Sequence, residues 1–412
     1  MDVGTVRSLA SPWGRELLAA LPPYDAGAVF AQSTRLRDQG VPAELVAALL
    51  TQQRLRARAV AKFGEFAADL LLTSDGLEQA TRLEVATTHA RRYAAASLAT
   101  VHDLGCGIGA DALTLSVLGV TVAAVDIDPV TAAVADANLR PWPDSRARVG
   151  RAEDFVAPVD ALRDRVGVWL DPARRLPGVT DPQGRTRRTF SLDGMSPTWS
   201  TVVELATSVP ATGVKLSPSF PHDHIPLGTE AQWTSWNGDV VECAIWWGPL
   251  ARTLGRTARL LSHTGHPVEV DESMAEEHVP QARGTTDIGA WLYEPDRALL
   301  QAGLTGAVTA AVDGREVDAG LGYVIADRDV DLAFARRFAV HEVLPLHVPT
   351  LRTWLRERGV TGVTIKKRGV RLDDDHLRSQ LKIGRGAGSG AQATVVLTRV
   401  AGGQVALVVD PA

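Results

Sequence analysis

Apolar residues recur at helical spacing through most of the first hundred positions. The stretch 42–64 carries them every three or four residues and has no glycine or proline between Pro42 and its last position, which predicts one long helix. Ser-Asp-Gly at 74–76 predicts a turn. The next stretch, 77–96, has the same period and predicts a second helical block. We therefore predict an N-terminal helical region over residues 1–97.

From residue 98 the pattern changes to short apolar runs that alternate with helical stretches. Strands are predicted at 101–105, 121–128, 146–150 and 166–172, with helices at 110–119 and 129–140. This alternation predicts an α/β fold with a Rossmann-like, doubly wound parallel sheet, whose strands present their carboxyl ends at one edge. Two more alternating runs flank Asn237-Gly238, a pair typical of two-residue turns, and predict a hairpin over 231–248.

The last third of the chain has a different pattern of polar and apolar residues. The segment 266–286 is polar and contains proline and glycine, so we predict a linker there, after an α/β domain over 98–265. Residues 287–412 mix helix and strand patterns and predict a separate α+β domain that ends in a hairpin over 393–410.

Composition narrows the class of protein. Of the 412 residues, 45% are hydrophobic and 22% charged, which is typical of a soluble globular chain. Two cysteines, Cys106 and Cys243, are too few for a disulfide scaffold or a cysteine-built zinc site, so we expect a reducing, cytoplasmic setting. No apolar run is long enough to span a membrane, and the first residues do not form a secretory signal, so we expect no membrane partner.

Charge is distributed unevenly. The net charge of −5 excludes a chain that coats nucleic acid through overall basicity. Residues 350–390, however, contain ten Lys or Arg against four Asp or Glu. A polyanion partner explains this excess as well as a solvated helix face does. The candidate contacts are the consecutive residues Lys366, Lys367 and Arg368.

The segment 103–111 lies between a predicted strand and a predicted helix. Its glycines let the backbone approach a ligand closely, and the helix start offers free N–H groups. A phosphate there would be repelled by Asp103, which disfavours a nicotinamide dinucleotide. S-adenosylmethionine (SAM) carries no phosphate, and its α-ammonium group suits Asp103. Asp126, at the tip of the next strand, suits the two ribose hydroxyls.

The fourth predicted strand ends in Asp171-Pro172. Proline restricts Asp171 to extended geometry, so its carboxylate and the Pro172 carbonyl can hold one small donor such as an amino group. A simple strand terminator is the alternative. Lys215 ends another apolar run, where it either faces the site or a substrate phosphate, or is a solvated strand end.

Three other features are weaker. His222 and His224 flank an aspartate but lack further ligands, so we predict no metal site. Cys106 has no neighbouring base and is interpreted as a small buried residue rather than a nucleophile. Tryptophans of the hairpin can stack on bases, but core packing is the simpler explanation for Trp233, Trp236, Trp246 and Trp247.

The chain resembles the class I SAM-dependent methyltransferases. The segment 103–111, DLGCGIGAD, is similar to their first motif, 124–128, AVDID, to their second, and the hairpin to their last strand. More narrowly, 77–96, the WLDPARR of 169–175 and the C-terminal KKRG…LR…ATVVLTRV pattern resemble bacterial methyltransferases with a THUMP-like C-terminal domain. The catalytic domains of these enzymes resemble trimethylguanosine synthase, which methylates an exocyclic guanine amino group.

This resemblance implies SAM as the cofactor and assigns roles to residues. Asp171 and Pro172 are the implied catalytic pair that holds the target amino group. Ala173 and Arg174 stand where the family has a second proline and a base-stacking aromatic residue. Arg151 stands where the family has an acid near the adenine, so the resemblance leaves Glu153 or Asp154 for this role, and Glu153 is the residue assigned here. The implied cofactor-binding residues are Thr81, Asp103, Gly105, Cys106, Gly107, Gly109, Asp111, Asp126, Ile127 and Glu153, and the implied substrate contacts are Arg174, Lys215, Lys366, Lys367 and Arg368.

We therefore predict methyl transfer to an exocyclic amino group of an RNA base, with the C-terminal domain binding the RNA. Methylation of a small molecule or a protein is the alternative, and a non-catalytic RNA-binding protein is a third hypothesis. Internal pairing of the C-terminal basic residues would weaken the RNA hypothesis. The oligomeric state stays open.

Overall fold

The computed structural model describes residues 1–157, 165–172, 175–180, 186–188, 192–263, 265–382 and 391–412. The chain divides into two compact units. The first comprises Met1–Leu216 and Ala244–Arg252, and the second comprises Ser217–Cys243 and Thr253–Ala412.

The first unit begins with helices. They are α1 (Val3–Ala10), α2 (Pro12–Ala20), α3 (Val29–Asp38), α4 (Ala43–Phe63), α5 (Ser74–Gln79) and α6 (Leu83–Ala95). The long helix predicted for 42–64 is confirmed as α4, which buries its apolar stripe, including Leu45, Leu49 and Phe63. The single block predicted for 77–96 is wrong, because residues 80–82 are not helical and separate α5 from α6.

A lysine side chain explains this break. Lys62 Nζ donates hydrogen bonds to the carbonyl oxygens of Leu77, Glu78 and Ala80, at 2.9, 2.8 and 2.8 Å. In a continuous helix those oxygens would accept from backbone N–H groups four residues later. The ammonium group takes their place, so Thr81 lies in a short extended connection.

The predicted parallel sheet is confirmed in the first unit. Parallel strands follow the order β7-β4-β1-β2-β3. The strands are β1 (Thr100–Leu104), β2 (Thr121–Asp126), β3 (Arg146–Val149), β4 (Val166–Leu170), β5 (Arg175–Thr180), β6 (Thr186–Arg188) and β7 (Ala211–Leu216). β5 and β6 form a separate antiparallel pair. The helices α7 (Ala110–Val117), α8 (Pro129–Leu139) and α9 (Trp199–Ser208) connect the parallel strands, and Asp128 caps α8 as predicted.

The predicted hairpin is also confirmed. β8 (Glu230–Trp236) and β9 (Asp239–Trp246) are neighbours in the sheet. They are joined by Asn237 and Gly238, whose φ angles of 50° and 86° are those of a type I′ turn. Residues 244–246 of β9 belong to the first unit, where the strand borders β7.

The segment predicted as a linker, 266–286, contains a strand. β11 (Val268–Asp271) pairs antiparallel with β10 (Gly255–Leu261), and β10 pairs parallel with β8. The polar composition of the segment hid this strand, which buries only Val270 completely.

The rest of the second unit is built on a seven-stranded sheet of order β13-β14-β12-β15-β18-β17-β16. Its strands are β12 (Trp291–Pro295), β13 (Arg315–Glu316), β14 (Val324–Ala326), β15 (Ala335–Pro345), β16 (Val360–Lys367), β17 (Ala391–Val400) and β18 (Gly403–Pro411), and its helices are α10 (Arg297–Ala302), α11 (Thr305–Val312), α12 (Val348–Glu357) and α13 (Asp374–Leu381). Alternate residues of β17 enter two different cores, as Val395 and Val396 do, so the sheet is covered on both faces.

Within the described residues, no helix has the length and apolar character needed to cross a membrane.

Candidate functional site

The loop after β1 depends on its glycines. Gly105, Gly107 and Gly109 have φ angles of 97°, 57° and 88°, in the region that favours glycine. A Cβ atom on Gly105 would lie only 3.1 Å from the carbonyl oxygen of Asp171. The glycine spacing therefore brings the loop against the end of β4, and the backbone at the start of α7 stays accessible to a ligand.

Asp103 is the most unusual group at this edge of the sheet. It is 1% exposed, and neither carboxylate oxygen has a hydrogen-bond partner in the part of the chain that the structure describes. Burial raises the pKa of Asp103 well above its usual value, and the nearby carboxylates of Asp111 and Asp171 add to this effect. A buried carboxyl group without a partner is destabilising, so this residue suits a cationic group of a ligand.

Asp126 closes the loop from the neighbouring strand. Its two carboxylate oxygens accept hydrogen bonds from the backbone N–H groups of Gly107 and Asp128, at 3.0 and 2.9 Å. Burial nevertheless raises the pKa of Asp126. The next residue, Ile127, is 62% exposed, which leaves an apolar surface beside a carboxylate.

Asp111, in the first turn of α7, is held by two side chains. Thr81 Oγ1 donates to one of its oxygens at 2.8 Å, and His89 Nδ1 lies 2.8 Å from the other. Burial acts to raise the pKa of Asp111, but the hydrogen bond and charge of His89, assisted by Lys215 and Thr81, lower it overall. Both oxygens are thus engaged within the protein.

His89, which no pattern in the sequence singled out, packs against aromatic rings. Its ring centroid is 4.5 Å from that of Trp169 and 5.6 Å from that of Trp246, and the two indoles stack at 5.3 Å. The Arg92 guanidinium lies over the Trp246 ring, with its central carbon 4.6 Å from the ring centroid. Trp246 therefore packs in the core, as predicted. The feature of the sequence that could have identified His89 is its spacing: it lies eight residues after Thr81, on the helix that follows.

Asp171 and Lys215 meet at the carboxyl ends of β4 and β7. Lys215 Nζ forms an ion pair with Asp171 Oδ2 and donates a hydrogen bond to Thr81 Oγ1 at 3.0 Å. The Lys215 side chain is 10% exposed and that of Asp171 30%, while Pro172 is buried. The alternative of a solvated strand end is therefore wrong for Lys215, which faces the predicted catalytic residue.

Lys62 supports this arrangement from behind and was also missed. Burial lowers its pKa to about 8, and the nearby cations Lys215 and Arg82 act in the same direction. The sequence offered one clue to the importance of Lys62: lysine is rare in this chain, which has only five.

We expect Lys62→Met to destabilise the protein by about 1–3 kcal/mol, because the carbonyl groups at the end of α5 lose their donor. SAM affinity should fall as well, because Thr81 is no longer held in place. Urea unfolding and calorimetric titration measure the two effects. Lys382→Met, at an exposed position, is the control; equal behaviour of the two variants would contradict this role of Lys62.

The remaining predicted residues of the first unit are less central. Glu153 accepts a hydrogen bond from Ser196 Oγ at 3.1 Å and lies 3.6 Å from Arg151 Nε. Cys106 is buried, and burial raises the pKa of its thiol well above the usual value, which disfavours a thiolate nucleophile. Arg174 lies outside the described residues.

The predicted C-terminal contacts are bonded within the second unit. Lys366 pairs with Glu294, and Arg368 lies 3.7 Å from the same carboxylate and donates to the Leu321 carbonyl oxygen at 3.1 Å. Lys367 donates to the Leu372 carbonyl oxygen at 2.7 Å. The positive charge of these residues is therefore partly neutralised. Other basic side chains of this region are exposed, namely Arg352, Arg356, Arg371 and Lys382.

The histidines of the other candidate cluster make ordinary contacts. His222 Nε2 lies 2.7 Å from the Gln301 carbonyl oxygen, and His224 Nδ1 lies 2.9 Å from Asp223. Among the residues with described placement, no group of three or more His, Cys, Asp or Glu is arranged to hold a metal ion.

Comparisons with known proteins agree with this geometry. A family model described as THUMP domain-like matches residues 335–411, and a domain of unknown function, DUF8688, matches residues 2–59. An uncharacterised S-adenosylmethionine-dependent methyltransferase of Mycobacterium tuberculosis is 32% identical over 359 residues, which cover 85% of this chain and 92% of the relative. A structure from Porphyromonas gingivalis W83, assigned as a methyltransferase, has a TM-score of 0.71 at 20% identity and covers 95% of this chain and 100% of its own.

The cofactor fits the residues present. The buried Asp103 carboxylate, which has no hydrogen-bond partner among the described residues, suits a cationic group, and three glycines with positive φ leave room for close backbone approach. Identity over most of both chains, together with the matching fold, shows the family. The chain belongs to the class I SAM-dependent methyltransferases, with SAM as its cofactor and a THUMP-like domain near its C-terminal end.

Proposed function

We propose that the enzyme transfers the methyl group of SAM to an exocyclic amino group of an RNA base. The observation that carries this proposal is the position of Asp171-Pro172. The partly exposed Asp171 carboxylate stands at the end of β4, and its main chain packs against Gly105 of the glycine loop. A hydrogen-bond acceptor is thus beside the loop that we assign to the cofactor.

The cofactor contacts that we propose follow from charge and exposure. Asp103 pairs with the α-ammonium group, since its buried oxygens have no partner among the described residues. Asp126 accepts the ribose hydroxyls, and the exposed Ile127 side chain contacts the adenine. Thr81 and Asp111 act indirectly, because their polar atoms already bind each other. Glu153 is assigned to the adenine edge from the sequence resemblance.

The chemistry demands little beyond positioning. SAM supplies a methyl group that its sulfonium charge already activates. The Asp171 carboxylate and the Pro172 carbonyl accept the hydrogens of the target amine, direct its lone pair and stabilise the positive charge that develops on nitrogen. The proline ring holds this acceptor pair rigidly.

RNA as the substrate is supported by the THUMP-like match and by the basic excess in 350–390. The internal bonds of Lys366, Lys367 and Arg368 argue against these residues as backbone contacts, so we assign that role to exposed arginines. Arg352 and Arg356 lie four residues apart on α12, both exposed, and therefore share one face of the helix.

Reversing the charge of both arginines, with Arg352→Glu and Arg356→Glu together, should weaken RNA binding by about 10-fold or more at moderate salt and lower the slope of log affinity against log salt by about two. Filter binding at several salt concentrations measures both quantities. The matched control is the double variant Arg35→Glu and Arg37→Glu, on exposed positions of α3. An unchanged slope in the α12 variant would remove this helix from the RNA contact.

Methylation of a small molecule or a protein is the second candidate. The observation that favours it is the pairing of Lys366 and Arg368 with Glu294, which reduces the basic surface available to RNA.

One experiment separates the two candidates. Purified enzyme and SAM with a radiolabelled methyl group are incubated with total RNA, proteins and small molecules from a strain that lacks this gene. Label in RNA that is lost with Asp171→Ala supports the proposal. Label only in the protein or small-molecule fraction, with SAM binding intact and precursor RNA also tested, refutes the RNA proposal.

A further inference from the structure

We infer that Lys215 is a positioning residue for methyl transfer: bridged between Asp171 and Thr81, it orients the Asp171 carboxylate and keeps it ionised. This inference rests on the proposed function, in which Asp171 accepts the target amine. It assigns Lys215 to the acceptor carboxylate rather than to a substrate phosphate.

The direction of each hydrogen bond supports the bridge. The Thr81 hydroxyl has a single hydrogen, which points to Asp111 Oδ2 at 2.8 Å. A lone pair of the same oxygen therefore accepts from Lys215 Nζ at 3.0 Å, and the ammonium group reaches Asp171 Oδ2 with another hydrogen. Asp111 thus orients Thr81, Thr81 orients Lys215, and Lys215 holds Asp171.

Two members of this hydrogen-bonded series, Asp111 and Thr81, are held by further side chains of the first unit. His89 holds the second oxygen of Asp111 and packs on Trp169, which precedes Asp171 by two residues on β4. The connection that carries Thr81 is held by Lys62, through carbonyl groups at the end of α5. The glycine-loop helix α7 and the acceptor carboxylate are therefore tied together by side chains rather than by backbone pairing.

The charges around Asp171 make the lysine necessary. Two carboxylates on neighbouring strands interact electrostatically with Asp171, namely Asp103 on β1 and Asp126 on β2, while Asp111 on α7 faces Lys215. On the cationic side Lys215 contacts Asp171 directly, and Lys62 lies behind Lys215; His89 faces Asp111 instead. Replacing Lys215 removes the cation that contacts this carboxylate, so we expect Asp171 to be protonated more readily; the protonated group keeps an acceptor oxygen but lacks the negative charge that stabilises the methylated amine.

The decisive measurement is the pH profile of kcat/KM for the methyl acceptor at saturating SAM. In Lys215→Met, the acidic limb should move to higher pH by about 1–3 pH units, so that the activity lost at neutral pH is partly recovered in alkali. Lys215→Arg keeps the charge and should keep the limb. Thr81→Val should shift it less than Lys215→Met. Thr87→Val, on the helix that follows Thr81 and bonded to the Leu83 carbonyl oxygen, is the control for the threonine change.

A uniform loss of activity at every pH in Lys215→Met, or a parallel loss of SAM binding, would overturn the inference and leave Lys215 a structural role. A limb that moves equally in Lys215→Arg would overturn it too, because charge would then not be the cause.

A second readout is independent of any methyl acceptor. Because the chain has only five lysines, mass spectrometry can follow the acetic anhydride reactivity of each one, with exposed Lys382 as the internal reference. Asp171→Asn should raise the reactivity of Lys215 severalfold at pH 8, because the ammonium group loses its counter-ion. If wild-type enzyme methylates no RNA but this increase is found, the RNA proposal fails and the pair stands. If reactivity is unchanged, the ion pair itself is refuted.

Discussion

Replacing Asp171 by alanine is expected to lower the rate of methyl transfer by about 10³-fold or more, while SAM affinity changes by less than about threefold. The carboxylate contacts the amine and not the cofactor in our assignment, so its loss removes an interaction that strengthens as positive charge develops on nitrogen. Single-turnover transfer and calorimetric titration of SAM measure the two quantities separately.

Two controls sharpen this result. Asp171→Asn keeps the shape but not the charge, and should retain more activity than alanine if orientation contributes, and the same activity if charge alone matters. Asp144→Ala, an exposed acid of the same unit, should leave both quantities unchanged. A loss of SAM binding in Asp171→Ala, with the thermal unfolding midpoint unaltered, would assign Asp171 to the cofactor instead.

Asp103→Asn is expected to weaken SAM binding by about 100-fold, which corresponds to the loss of one buried, charge-assisted contact. The same substitution should remove a pH dependence that the wild-type enzyme shows. Burial raises the pKa of Asp103, and an ammonium ligand favours the ionised form, so binding releases a proton. Wild-type affinity should therefore increase with pH by up to about tenfold per pH unit, until the α-amino group of SAM loses its own proton near pH 8.

The folding stability of the SAM-free protein should depend on pH in the opposite direction to SAM affinity, because it should fall as the pH rises. The folded-state pKa of Asp103 lies above the unfolded value of 3.8, so this group contributes stability that is fully present below pH 3.8 and is lost as pH rises through the folded pKa. At neutral pH, Asp103→Asn should therefore unfold at a higher temperature than the wild type. Differential scanning calorimetry with and without SAM tests this. A wild-type affinity that rises nowhere between about pH 4, just above the ordinary pKa of an aspartate, and about pH 8 would contradict the assignment of Asp103 to the ammonium group.

The pairing of the C-terminal basic residues shows the limit of counting charge along a sequence. The excess in 350–390 fitted a polyanion partner and a solvated helix face equally well, and Glu294, which is 72 residues from Lys366, neutralises part of it. Linear charge counts do not include such distant acids. Among the described residues of this region, exposed basic side chains include Arg352 and Arg356 on α12 and also Arg371 and Lys382.

Much of the catalytic unit could be predicted because its determinants are local. Periodicity determines which residues a helix or strand buries, and the glycines of 105–109 meet backbone requirements within a few residues of themselves. Acids at strand ends are brought to one edge by the parallel topology alone. The sheet, the hairpin and the approximate positions of Asp103, Asp126 and Asp171 follow from such rules.

What only the tertiary structure decided are the partners of these residues. Lys215 meets Thr81 across 134 residues of sequence, and His89 meets Asp111 across 22. Lys62 interrupts a pattern that is helical by period, because three hydrogen bonds from one half-buried ammonium group outweigh the local preference of residues 80–82. Periodicity along a sequence specifies which face of an element is buried, but the side chain that a polar group meets depends on how the elements pack. For this reason the sequence by itself determined the α/β fold and the glycine loop after β1, and the folded chain alone determined the network that joins Thr81, Lys215 and Asp171.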